Sequence, residues 1–175
     1  MIDSRMEAAI NAQINRELWS GYIYLSMATY FDDLGLKGFS NWMRVQHKEE
    51  ETHALMMLGY VSEAGGRVKL EPIAAVDTEW KSPLAAFAEV LEHELKVSAW
   101  INELVDLAVE LKDHSTNAFL QWFVTEQVEE VSTAKGLVDT LRFVDGNPHS
   151  VLMLDRELAA RAYTLPPAAA ALGVL

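Results

Sequence analysis

Phe39, Met43, Gln46, Glu50, His53, Met57 and Tyr60 recur at alternating spacings of four and three residues. That spacing lays them along one face of a helix, and the apolar members mark the face that packs inward. Glu50 and His53 therefore fall on a stripe that a folded chain buries. A buried carboxylate beside an imidazole is costly unless positive charge compensates it, so the pattern demands a compensating partner. A metal ion is the first reading.

The same pattern appears on three more long helical runs. A first run extends to about Asp33, with Ser4 and Glu7 reading as a capping box. Its stripe is Ile10, Ile14, Glu17, Gly21, Tyr24, Ala28 and Phe31. Leu34-Gly35-Leu36-Lys37-Gly38 is a short break that favours an antiparallel pair with the helix carrying Glu50. That second helix stops at Gly65-Gly66. From Gly66 to Ser82 periodicity lapses, as expected of a connection that crosses the length of a bundle. Ser82-Pro83 then reads as an N-cap and a proline at the first helical position. The third stripe is Leu84, Phe87, Leu91, Glu94, Ser98, Ile101, Val105 and Ala108. Asp113 or Ser115 caps a fourth helix, with the stripe Phe119, Phe123, Gln127, Glu130, Ala134, Leu137 and Leu141. Asp145-Gly146-Asn147-Pro148 breaks it, and a short fifth helix runs to about Arg161. Strand signals are nearly absent. The expected fold is all-α: four long helices with one long crossover between the second and third, plus a short fifth helix. One domain covers residues 1–165, and residues 166–175 read as a flexible tail.

Among the polar residues that interrupt the four apolar stripes, six are singled out at mid-bundle positions: Glu17, Glu50, His53, Glu94, Gln127 and Glu130. Four core carboxylates left charged and unpaired would exceed a domain's stability margin of about 5–15 kcal/mol. Four charges of −1 balance two divalent cations. Oxygen-rich ligands with one imidazole suit iron or manganese, and the chain has no cysteine to offer a thiolate. Glu50 and Glu130 are placed to bridge two metals, with Glu17 and His53 completing one site and Glu94 the other. Gln127 stands where a stronger ligand would make a permanent cofactor site. The pair therefore suits a metal in transit.

The net charge of −12 argues against nucleic acid as a partner. No apolar run approaches the roughly 18–20 residues that span a bilayer. The start Met1-Ile2-Asp3-Ser4-Arg5 lacks signal-peptide character, and a cytoplasmic location is the expectation.

The stretch Leu120-Gln121-Trp122-Phe123-Val124-Thr125-Glu126-Gln127-Val128-Glu129-Glu130 resembles the fourth-helix signature of prokaryotic non-haem ferritins. Glu17, Tyr24, Glu49-Glu50, His53 and Glu94 fall in matching places, and the resemblance extends from about residue 5 to 161. Ser40-Asn41-Trp42-Met43-Arg44-Val45-Gln46 and Ser82-Pro83-Leu84-Ala85-Ala86-Phe87 look closest to archaeal-type members. Glu51 stands where bacterioferritins carry their haem-ligating methionine, so no haem is expected. The resemblance implies the ferritin-like four-helix bundle and a ferroxidase that oxidises Fe²⁺ with O₂ or peroxide. It also implies storage of Fe³⁺ as an oxo-hydroxide inside a shell, usually of 24 subunits. It places Glu17, Glu50 and His53 at the first iron, and Glu50, Glu94 and Glu130 at the second, with Gln127 alongside. Glu49, Glu126 and Glu129 match an accessory third iron site. Tyr24 matches a tyrosine that donates an electron or a hydrogen bond. A di-iron oxidase or peroxide-scavenging enzyme without a cage is the alternative, and a non-catalytic helical scaffold is a third. His47, His93, His114 and His149 read as surface residues, Met56 and Met57 as core filler, and Trp122 as packing.

Overall fold

The computed structural model describes residues 1–173. It contains the helices α1 (Ser4–Asp33), α2 (Lys37–Glu63), α3 (Pro83–Glu110), α4 (His114–Val144), α5 (Pro148–Leu158) and α6 (Pro167–Ala171). There is no strand among the described residues, and none of the helices is long and apolar enough to cross a membrane. The chain divides into two compact units, Met1–Glu79 together with the residues from Pro148 onward, and Trp80–Asn147.

In the first unit α1 and α2 form an antiparallel hairpin. The amide of Ile2 donates to the carbonyl of Ala64 at 2.9 Å, so the start of α1 lies beside the end of α2. At the other end Gly35 turns the chain with φ +74°, a left-handed position that glycine fills without strain. The stripes expected on both helices are buried, except that Tyr60 stays partly exposed. Phe31 stacks on Phe39 with ring centroids 5.1 Å apart, closing the core at the turn. Burying a side chain of that size stabilises the fold by about 1.5–3 kcal/mol. The cap of α1 differs from expectation. Asp3, not Ser4, is the N-cap, accepting from the Arg5 amide at 2.8 Å. Glu7 turns instead to the connection after α2 and accepts from the Arg67 amide at 3.1 Å.

That connection is fastened along α1. Asn11 donates to the Arg67 carbonyl and accepts from the Lys69 amide. Asn15 donates to the carbonyls of Glu71 and Pro72, and Ser26 to that of Asp77. From Asn11 to Ser26 a helix rises about 22 Å at 1.5 Å per residue, so the segment retraces most of α1, as a crossover must. The backbone groups of an irregular segment need partners, and polar side chains of α1 supply them.

α5 completes the start of α2, whose own N-cap position, Leu36, offers no side-chain hydrogen bond. The Asp155 carboxylate accepts from the amides of Gly38 and Phe39 at 2.7 and 3.0 Å, so a residue far along the chain satisfies the orphan donors of the first turn. A Cβ on Gly38 would stand 1.6 Å from the Asp155 carbonyl oxygen; only glycine lets the two helices approach this closely. Within the stretch expected as a tail, Pro167–Ala171 form a short helix with Ala169 buried. The last two residues of that stretch, 174–175, lie outside the described residues.

The second unit is the pair α3 and α4. Ser82 accepts from the Ala85 amide at 3.1 Å, and Pro83 takes the first helical turn, as expected. Asp113 caps α4 through the Thr116 amide and hydroxyl, and Asp145 ends it in the left-handed conformation. The stripe of α3 is only partly the expected one. Ala86, Phe87, Val90, His93, Glu94, Val97, Ile101, Leu104 and Ala108 are buried, while Leu84, Leu91, Ser98 and Val105 are half-buried. On α4 Leu120 and Val138 are buried where Phe119 and Leu137 were expected. The register of Glu94, Gln127 and Glu130 survives both corrections. His93, expected at the surface, is 5% exposed and meets the Trp100 ring edge-to-face. His47 is half-buried, with Nδ1 2.9 Å from the Gly21 carbonyl oxygen. His114 and His149 are exposed as expected, and Met56 and Met57 are core residues.

Candidate metal centre

Glu17 on α1 meets Glu50 and His53 on α2 midway along the first unit. One ligand atom from each lies within 4.8 Å of the others, and all three side chains are buried, none more than 4% exposed. Because the stripes of both helices carry these residues at the middle of long apolar runs, hairpin packing alone delivers them to one point. Gln13, one turn before Glu17 and fully buried, donates to Glu17 Oε1 at 2.7 Å. Arg16 in turn donates to Gln13 at 3.1 Å. One carboxylate oxygen of Glu17 is thus held in place, while its Oε2 has no hydrogen-bond partner among the described residues.

The electrostatics ask for a cation. Burial raises the pKa of Glu17; hydrogen bonds from Glu50 and Gln13 and the charge of Arg16 offset this only in part. Ionised carboxylates only accept hydrogen bonds, so Glu17 and Glu50 bond each other only by sharing a proton. A divalent ion in place of that proton would neutralise both charges. Burial lowers the pKa of His53 to about 4, so its imidazole is neutral at physiological pH, the form that ligates a metal. His53 Nδ1 lies 3.6 Å from Glu50 Oε2, too far for a hydrogen bond. Two carboxylates and a neutral imidazole in a dry site suit Fe²⁺ or Mn²⁺.

The other three expected residues belong to the second unit, where Glu94, Gln127 and Glu130 are all buried. The Gln127 amide donates to Glu94 Oε2 at 3.2 Å, and it also reaches the Glu94 carbonyl and the Ser98 hydroxyl. Glu130 sits one turn further along α4. Tyr24 is fully buried, its ring edge-to-face with Trp42 at 6.3 Å. Of the three accessory-site residues, Glu49 is held by Arg161, Glu126 is half-buried and Glu129 exposed. Burial, and then the charge of Glu129, raise the pKa of Glu126. Trp122 packs against Phe123 with ring centroids 4.9 Å apart.

A family model described as the ferritin-like domain matches residues 7–144, most of the chain. The chain belongs to the ferritin family. Among curated relatives, this ferritin is 42% identical to the bacterial non-haem ferritin of Bacteroides fragilis over 161 residues, which cover 92% of the chain and all of that relative. The Staphylococcus haemolyticus non-haem ferritin is 34% identical over 163 residues, covering 93% of the chain and 98% of the relative. Among solved structures, a closed form of Archaeoglobus fulgidus ferritin made by mutagenesis superposes with a TM-score of 0.93 at 52% identity, covering 94% of the chain and all of that one. The open-pore ferritin of the same archaeon gives 0.92 at 52% identity over 93% of the chain. These likenesses establish the ferritin-like four-helix-bundle fold class and the non-haem, prokaryotic character read from the sequence.

Three residues that bear on the site of this ferritin were not among the candidates. Gln13 lies four residues before Glu17, on the same helical face, and that spacing was the signal available. Ser98 was visible only as a stripe member. Arg161, bound to Glu49, left no local signal.

Proposed function

We propose that this ferritin is an iron-storage ferroxidase. Fe²⁺ binds in pairs at a centre supplied by Glu17, Glu50, His53, Glu94, Gln127 and Glu130. Two Fe²⁺ give up two electrons, which O₂ takes up with two protons to form peroxide; peroxide can itself oxidise a further pair. The Fe³⁺ passes into an oxo-hydroxide mineral inside a self-assembled shell, with 24 subunits as the expected number, in the cytoplasm. The observation that carries this reading is the buried trio Glu17, Glu50 and His53, with converging ligand atoms and a Glu17 oxygen, Oε2, that has no hydrogen-bond partner among the described residues.

Each residue has a role that follows from its chemistry. Glu17, fixed by Gln13, and neutral His53 hold the first iron. Glu50 would bridge to a second iron, for which Glu94 and Glu130 would supply the other carboxylates. Gln127 brings a neutral amide whose N–H₂ is already spent on Glu94, so it adds no charge to retain Fe³⁺. Weak retention is what a transit site needs. Tyr24, buried two helical turns beyond Glu17 on α1, is proposed as the donor of an electron or hydrogen bond.

Adding Fe²⁺ aerobically to the metal-free protein is expected to give rapid O₂ uptake and soluble, iron-loaded particles. Ferric precipitate forming at the rate seen without protein would contradict the proposal. Fast oxidation by a small oligomer retaining two irons per chain would favour an oxidase without a cage.

A further inference from the structure

Glu49 precedes Glu50 on α2, one position off the buried stripe, and it is the α2 member of the accessory iron site that the resemblance implies. In this chain Glu49 already has a cation. Arg161 Nη2 lies 2.7 Å from Glu49 Oε2, and both side chains are mostly buried, at 24% and 18% exposure. Charge-assisted bonds of this length are the strong ones, and partial burial limits their screening.

Arg161 is held there by more than the pair. Its guanidinium carbon stands 4.7 Å from the centre of the Trp42 ring, a cation–π distance. Its Nη1 donates to the Trp42 carbonyl, and its own backbone carbonyl accepts from Asn41 at 2.9 Å. Two residues on, the Tyr163 hydroxyl is 2.6 Å from the hydroxyl of Thr52. The segment after α5 is therefore strapped along α2 on both sides of Arg161. A cavity of about 530 Å³ beside it is lined by Arg44, His47 and Lys48. A guanidinium leaving Glu49 in that direction would approach Lys48, and Arg44 on the same wall is already paired with Asp32.

We propose that Arg161 is a built-in cation standing where an accessory iron would bind at Glu49, so that this chain binds two irons tightly and excludes a third until Arg161 is displaced. This rests on the ferroxidase reading above. A charged hydrogen bond of this kind weakens a competing ion by about ten- to a hundredfold.

The test is a calorimetric titration of the assembled, metal-free protein with Fe²⁺ under argon, read as tight ions per chain. Wild type and Arg161→Lys, which keeps the charge, are expected to bind two. Arg161→Met keeps the apolar stem on Trp42 but removes the charge, and is expected to bind three. Arg161→Met combined with Glu49→Gln is expected to return to two. If the methionine variant fails to fold, Arg161→Gln carries the same expectation of three. Three tight ions in wild type, or two in the uncharged variants, would overturn the proposal. Fewer than two in wild type would overturn the centre itself, a distinct outcome.

Discussion

Replacing Glu50 with alanine is expected to slow the initial oxidation of Fe²⁺ by at least about 100-fold. Residues that merely orient metal ligands are worth roughly 10–100-fold, and Glu50 is proposed to touch both irons. Its loss would leave Glu17 and His53 to hold one ion and would remove the bridge to the other. The fold should survive, because the substitution removes a carboxylate from a site where burial disfavours the ionised form of its neighbour Glu17; circular dichroism checks this. Glu129→Ala is the informative comparison. Glu129 is exposed, and its removal should leave the initial rate within about twofold, as for surface changes away from the chemistry, with any effect confined to later turnover. Stopped-flow absorbance of ferric product separates the two. Equal losses would contradict the assignment of Glu50 as the bridge.

The second large effect is on stability. Metal-free Glu17→Gln is expected to melt at a higher temperature than metal-free wild type near pH 7.5, and the gain should fade as pH drops to 4.5 and below. Burial raises the pKa of Glu17 above 4.5. Between 4.5 and the raised value the folded chain holds a proton that the unfolded chain has lost, so stability falls as pH rises through that window. Glutamine carries no such penalty. His53 acts in the opposite sense: with a folded pKa of about 4 against 6.5, it contributes stability that is lost as pH falls from 6.5 towards 4. Comparing variant with wild type at each pH cancels the histidine and isolates the carboxylate. At this chain length each kcal/mol moves the melting temperature by about 2–4 °C. A divalent ion should reverse the order, since only wild type gains a compensated site. Identical melting behaviour at both pH values would show that Glu17 is not strained in the metal-free state.

Much of the site was legible because it obeys helical periodicity. On α1 and α2 the apolar residues form a single stripe, so Glu17, Glu50 and His53 could be placed on the buried face from spacing alone. Residues supplied by other parts of the chain could not. The cap of α2 comes from Asp155, the crossover is tied down by Asn11, Asn15 and Ser26, and Glu49 is neutralised by Arg161. None of these pairings leaves a mark at either position. α3 failed for another reason: leucines, valines and alanines occupy several of its sides, with Leu95 and Val109 exposed, so periodicity did not select a face. Glu94 lies on both the expected and the observed stripe, which is why its burial could still be read from the sequence. The burial of His93, beside Glu94 in the chain, was missed through the same ambiguity.

The buried carboxylates and imidazole are expected to hold iron. Crystals of the metal-free protein soaked anaerobically in Fe²⁺, with diffraction measured on both sides of the iron absorption edge, test it most directly. An anomalous peak bonded to Glu17, Glu50 and His53, and a second at Glu94 and Glu130, is the expected result. Iron confined to the surface, with no peak among Glu17, Glu50 and His53, would contradict it.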